Sequence, residues 1–207
     1  MGLAGCAAQL EGAAPGAGVD GATSTPVSSS TPFDAAITPP GKVSPGRVGT
    51  PAPSQRIRFV PTQVVLPGGA QAPVVPAGTV GDQLQVPSGA QRVGWWDGGA
   101  EAGDPFGSIV LAGHVDTRTE GLGFFARLRR AEPGEYVVLR GSGRSATYRI
   151  TSKVSVPKDA LATKSGAFDQ SGGHRLVLIT CTGAYDAGNG GYEDNLVVTA
   201  TAVGLAK

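Results

Sequence analysis

The chain has 207 residues, a formal net charge of +1 and a sequence pI of about 7.8, with 33 glycines, 16 prolines, two cysteines and two histidines. Without a basic block or an acidic tail it offers no electrostatic footprint for nucleic acid; one Cys and two His beyond residue 56 also fall short of the ligand set a zinc site takes. No cofactor is expected, because no glycine-rich phosphate loop opens a helix and no second Cys stands close enough for a redox pair.

In "MGLAGCAAQ", Leu3, Ala4, Gly5 and Cys6 resemble the lipobox of bacterial lipoproteins, in which the Cys carries lipid. Acyl chains on Cys6 would anchor the chain to a membrane, each buried methylene adding about 0.8 kcal/mol. The basic start and apolar run of an export signal do not precede it. Either residues 1–6 are the remnant of a longer signal, or the match is a coincidence of Ala/Gly-rich sequence. Residues 7–55 are Ala, Gly, Pro, Ser and Thr with few charges, and Phe33 is the only aromatic before residue 56. Such a composition buries too little apolar surface to offset the entropy of ordering, and predicts a disordered tether. Residues 56–207 then make one domain with one ordinary core.

From Arg56 onward the pattern is β. "RIRFVP", "TQVVLP", "QAPVVPAGT", "QLQVP" and "RVGWW" are short runs rich in Val, Ile and aromatics, bounded by Gly and Pro. Proline closing several of them favours short strands that break at corners, as in a barrel. Trp95 and Trp96 are adjacent in a strand and so point to opposite faces; one suits the core, the other a surface or groove wall. In "GSIVLAGHVD" a buried run, Ile109 to Leu111, leads through Ala112 and Gly113 to His114 and then Asp116. "GFFARLRRA" is the one good helix candidate, with Phe124, Phe125 and Leu128 inward and Arg127, Arg129 and Arg130 toward water. "EYVVLRG" and "ATYRITSKVSVP" read as strands, and "KDALATKSGAF" as loop with a weak helical turn. His174, in "QSGGHRL", reads as a solvated loop residue.

The last informative run is "LVLITCTG", residues 176–183. Leu176 to Ile179 read as a strand buried on both faces, which places Cys181 at the strand end where polarity begins. A lone strand-end Cys is commonly structural, and so is a lone strand-end His. Together they point to chemistry, since a thiol needs an imidazole beside it to be a useful thiolate at neutral pH.

At these residues the sequence resembles the sortases, membrane-anchored cysteine transpeptidases of Gram-positive bacteria, and is most similar to the actinobacterial group called class F. The segments, in order, are "RVGWW", "GSIVLAGHVD", "FARLRRAEPGEYVVL", "VPKDA", "LVLITCTG" and "YEDNLVVTA". The resemblance implies a mainly β fold, a closed eight-stranded barrel with one or two short helices. It implies Cys181 as nucleophile, His114 as general acid, and Thr180 in the place of the family's Thr before the Cys. It implies as substrates surface proteins bearing a C-terminal sorting motif of the LPxTG kind. The acyl group would pass to an amine of a peptidoglycan precursor or a pilin Lys, outside a membrane to which the N-terminal side is anchored.

Most members of that family carry an Arg near the start of the last strand. Here "YEDNLVVTA" puts Asn195 at that position, with Glu193 two residues before it. Asn195 can donate hydrogen bonds to an oxyanion without the charge of an Arg. Arg118 is a second candidate for that role, with an exposed surface Arg as its other reading. The missing Arg keeps open a non-catalytic, lipid-tethered barrel that acts as a binding module. An L,D-transpeptidase is a weaker alternative, because the Ser-His-Gly run before the Cys of that group is absent.

Overall fold

In a computed structural model the described residues are 56–207, apart from 82, 189 and 190. The expected tether and Cys6 lie outside them. The strands in chain order are β1 (Gln63–Val65), β2 (Gln71–Ala77), β3 (Thr79–Val80), β4 (Gln83–Leu84), β5 (Val93–Trp96), β6 (Ser108–Gly113), β7 (Asp116–Thr117), β8 (Gly121–Leu122), β9 (Tyr136–Gly141), β10 (Arg144–Pro157), β11 (Arg175–Asp186) and β12 (Gly191–Ala202). Eight of them close a mixed barrel in the order β1-β2-β5-β6-β11-β12-β10-β9, while β3–β4 and β7–β8 form two small hairpin sheets beside it. The expected fold class holds. Strand length departs from expectation: β10, β11 and β12 run 14, 12 and 12 residues. Their long pairing along one another carries them past the point where other strands stop.

Period-two alternation builds two apolar layers on the barrel wall. Inward lie Ile109, Leu111, Leu176, Leu178, Val198 and Ala200, around the buried Tyr148 and Trp95. Outward on the same strands lie Val110, Ala112, Val177, Ile179 and Val197, covered by Leu84 and Leu161. The two tryptophans divide as alternation requires: Trp95 is inside with its indole N–H donating to Ala100 O, and Trp96 is outside, edge-on to Phe168.

The helix expected at "FFARLRR" forms as a 3-10 turn, Phe124–Arg130, with Phe124, Phe125 and Leu128 buried. It caps the inner core, and Gly113 at the end of β6 is the reason it can come so close. A Cβ on Gly113 would stand 2.9 Å from the Phe125 ring. "KDALATKSGAF" is more helical than expected: a 3-10 turn, Lys158–Ala160, continues into α1 (Leu161–Lys164), held there because Ala160 and Leu161 are buried on the outer face of the barrel.

Candidate active site

β6 and β11 run parallel and are matched from Ser108 with Arg175 to Ala112 with Ile179. His114 and Cys181 stand two residues further along each strand. The pairing of these two strands, whose axes lie about 4.8 Å apart, ends just before them. On its other side Cys181 is matched to Asn195 of β12, and Asn195 to Val156 of β10. A single row across the barrel wall therefore reads Cys181, Asn195, Val156, and His114 follows the end of β6 on the other side of Cys181. By alternation this row shares the outward face with Val177, Ile179 and Val197, at the rim of the covered apolar layer.

Cys181 is a half-buried thiol, not part of a disulfide. It is not at the end of its strand, as the sequence suggested. β11 stops pairing with β6 after Ile179 but continues beside β12 to Asp186, because β12 supplies partners as far as Gly191. Cys181 marks the place where the strand leaves the closed wall and becomes one arm of a projecting hairpin. Thr180, one residue earlier, faces the other way: it is fully buried, and its hydroxyl donates to Gly113 O at 2.8 Å. That bond ties β11 to β6 just before they part, and the hydroxyl is turned away from the thiol's face.

His114 is half-buried, with Nε2 3.1 Å from Pro87 O. A carbonyl only accepts, so Nε2 carries the hydrogen and Nδ1 is the nitrogen left for proton transfer. The segment after His114 doubles back tightly: Gly123 N donates to Val115 O, and a Cβ on Gly123 would sit 2.1 Å from His114 O. Only a residue without a side chain allows this approach, and it fixes the backbone that carries the imidazole.

Asn195 is fully buried, and neither its Oδ1 nor its Nδ2 has a hydrogen-bond partner among the described residues. An unpaired buried amide costs about 1–3 kcal/mol, so a compact fold that keeps one next to a thiol carries a cost without an evident structural return. The 158–160 turn packs against β12 on this side. Arg118 is exposed in the turn between β7 and β8, outside the row.

Two groups the sequence reading passed over complete the surroundings. Tyr192 of β12 donates to Asp116, two residues past His114, and its ring stands edge-on to Tyr185 at 5.2 Å. That bond, with burial and the Asp116 charge, pushes the Tyr192 phenol up to about 12, and the nearby Cys181 adds to the rise while Arg129 opposes it. No spacing in the sequence signals a pair 76 residues apart. Asp116 was visible only as a neighbour of His114.

His174 corrects the reading as a solvated loop residue. It is half-buried, with Nε2 3.1 Å from the hydroxyl of Tyr148, and burial is the main cause that lowers its pKa. The reason is that β10 brings Tyr148 beneath the loop. His174 precedes β11 by one residue, about 23 Å of extended chain from Cys181, and so belongs to the opposite end of the barrel. Among the described residues no cluster of three or more His, Cys, Asp and Glu has the geometry to hold a metal ion, and no helix is long and apolar enough to cross a membrane.

Comparison with known proteins agrees with this architecture. Sortase C-1 of Actinomyces oris superposes with a TM-score of 0.52 at 22% identity, over 69% of this chain and 71% of that one. Sortase A of Corynebacterium diphtheriae gives 0.51 at 21% identity, over 72% of this chain and 63% of that one. Sortase C of Streptococcus pneumoniae gives 0.51 at 18% identity, over 70% and 66%. At these identities the likeness is one of fold, and the chain spans about two thirds of the pneumococcal and diphtherial proteins. No curated protein sequence matches the chain. The profile of the Sortase domain, however, matches residues 67–203, well over half of the sequence. With the barrel topology, that match settles the family: the chain belongs to the sortases.

Proposed function

We propose that this protein is a cysteine transpeptidase in which Cys181 is the nucleophile and His114 the proton carrier. What supports the reading is that each stands two residues past the last matched pair of two adjacent parallel strands, Ala112 with Ile179, with Nδ1 of His114 left for proton transfer. In the first half-reaction the Cys181 thiolate attacks the carbonyl carbon of a sorting motif of the LPxTG kind. The C–N bond breaks, and the leaving amine takes the proton of the imidazolium. In the second, an acceptor amine attacks the thioester, the C–S bond breaks, and the amine proton returns to the imidazole while the thiolate is restored. Each half passes through an oxyanion. We assign its stabilisation to the Asn195 amide, whose unpaired donor supports the role; because Asn195 is buried, the cover over it opens as the peptide seats.

Within the family we place the chain with the class F group of actinobacteria, on the resemblance of "RVGWW", "LAGHVD" and "FARL". Substrates are then surface proteins with a C-terminal sorting motif, the acceptor is a peptidoglycan-precursor or pilin amine, and the enzyme works at the outer face of the cell membrane. Anchorage is on the N-terminal side, by lipid on Cys6 or by a span upstream, with residues 7–55 as spacer. A second reading, a barrel that binds sorting peptides without cleaving them, draws support from Asn195 in place of the Arg.

One experiment separates the two. Incubation with a library of LPxTG-like peptides, followed by mass spectrometry of the intact protein, should reveal an acyl adduct on Cys181 that Cys181→Ala lacks. A wild-type protein that binds peptide but never acylates would establish the binding module.

A further inference from the structure

The loop that holds the His114 imidazole is itself held by the chain that follows His114. Pro87, whose carbonyl accepts from Nε2 at 3.1 Å, is seated on β5: a Cβ on Gly94 would stand 2.7 Å from the Pro87 ring. Three residues on, Ala90 is fully buried and fixed through both of its main-chain groups. Its carbonyl accepts from Phe124 N at 2.7 Å, and its N–H donates to the Glu120 carboxylate at 3.0 Å. Between Pro87 and Ala90 the chain turns at Gly89, where φ is +100° and Arg92 N donates to the Gly89 carbonyl. Gln91 adds a side-chain bond to Leu122 O at 2.9 Å.

Glu120 sits in the turn between β7 and β8, and β7 starts only two residues past His114. The turn is shaped locally, since Glu120 N donates to the Thr117 hydroxyl at 3.0 Å. The contacts close a ring that runs from His114 along the chain to Glu120, across to Ala90, back along the chain to Pro87, and across to the imidazole. We propose that Glu120 is a positioning residue for His114: by holding Ala90 it keeps the Pro87 carbonyl against Nε2, and with it the tautomer that leaves Nδ1 for proton transfer. This role rests on the transpeptidase reading for its effect on rate, and not for its effect on the imidazole. A buried N–H that loses its acceptor drives the backbone to find another, and a carboxylate is a stronger acceptor than a neutral group. Glu120 itself is exposed and fills no part of the core, so its removal loosens the ring without opening a cavity. An imidazole released from Pro87 O samples both tautomers and no longer presents Nδ1 in one direction.

The test uses the full chain and reads the imidazole directly. In Cys181→Ala protein at about pH 8.5, above the range in which an ordinary imidazole titrates, nitrogen NMR should show His114 as the Nε2–H tautomer alone. Glu120→Ala in that background should add a measurable Nδ1–H population and speed exchange of the Nε2 proton with water about tenfold. Glu120→Gln, whose amide oxygen can still accept from Ala90 N, should restore the parent spectrum, and the His174 signals should stay in place throughout. With the thiol present, Glu120→Ala should lower kcat for peptide acylation about five- to tenfold with KM within about twofold, and Glu120→Gln should recover the rate. An unaltered His114 spectrum in Glu120→Ala overturns the proposal, and so does a loss that Glu120→Gln fails to restore. The expected spectra in a protein that never acylates support the positioning and overturn the transpeptidase reading instead.

Discussion

Tyr192 and Asp116 are joined by a hydrogen bond from phenol to carboxylate that links the Cys181 hairpin to the segment following His114. β11 and β6 are no longer paired at the level of the thiol, so this contact spans the gap that the sheet leaves open. We expect Tyr192→Phe to slow acylation about tenfold, equal to about 1.4 kcal/mol in the barrier, with little change in peptide KM. Asp116→Asn, which can still accept, should retain most of the rate. Stopped-flow acylation on both variants decides it: equal rates in wild type and Tyr192→Phe would show that the contact does not position the pair.

Asn195 offers a test in which stability and activity move in opposite directions. Leu at this position removes two unpaired polar atoms from a buried place, so Asn195→Leu should melt at the same temperature as wild type or higher. Loss of an oxyanion donor should lower the acylation rate about 10²–10³-fold. A variant that is both less stable and fully active would show that the amide serves packing alone.

The rate of acylation should be bell-shaped in pH, because one member of the Cys181–His114 pair must be deprotonated and the other protonated. His114→Ala should lose the bell and most of the rate. His174→Gln should keep the profile, and a large effect there would move the catalytic role to the other histidine.

His174 should instead appear in stability. Its folded pKa is lowered from 6.5, mainly by burial, so below that value the unfolded chain binds a proton the native state resists. Stability is then full above about pH 6.5 and is lost as pH falls. Thermal melts between about pH 7 and about pH 5 should show a flatter decline in His174→Gln than in wild type. Parallel declines would mean that the site does not titrate with unfolding.

Gly113→Ala should destabilise the domain by about 1–3 kcal/mol, since the new Cβ drives into the Phe125 ring. Phe125→Leu in the same chain should recover part of that loss in denaturant melts. Full stability of the single variant would show that the 124–130 turn floats freely over the barrel end.

Much of the barrel was legible because its strands announce themselves locally: Ile109 to Leu111 and Leu176 to Ile179 are aliphatic runs that need no partner to be recognised. The place of Cys181 within its strand was not. "TGAYD" reads as a turn by composition, and becomes strand only because Tyr192 and Gly191 lie opposite. The outward position of the site was not legible in a run that is apolar on both faces, and the burial of Asn195 was not legible in "YEDN", where its neighbours are polar. The Tyr192 bond to Asp116 and the Tyr148 bond to His174 join distant segments, and no local pattern encodes either.

The row that holds Cys181 and Asn195 constrains how such a sequence can change over time. The address of the thiol is a matter of odd and even: one residue inserted between Leu176 and Thr180 would turn Cys181 inward among Leu111 and Leu178, and every later side chain with it. A closed wall has no loose edge along which β11 could slide to restore the count. Past Cys181 the strand is held on one side only, by β12, and there an added or deleted pair of residues lengthens or shortens the hairpin without disturbing the parity behind it. Chain length is therefore free to vary on the far side of the nucleophile and frozen on the near side, which makes the projecting hairpin the part of this barrel that selection can resize.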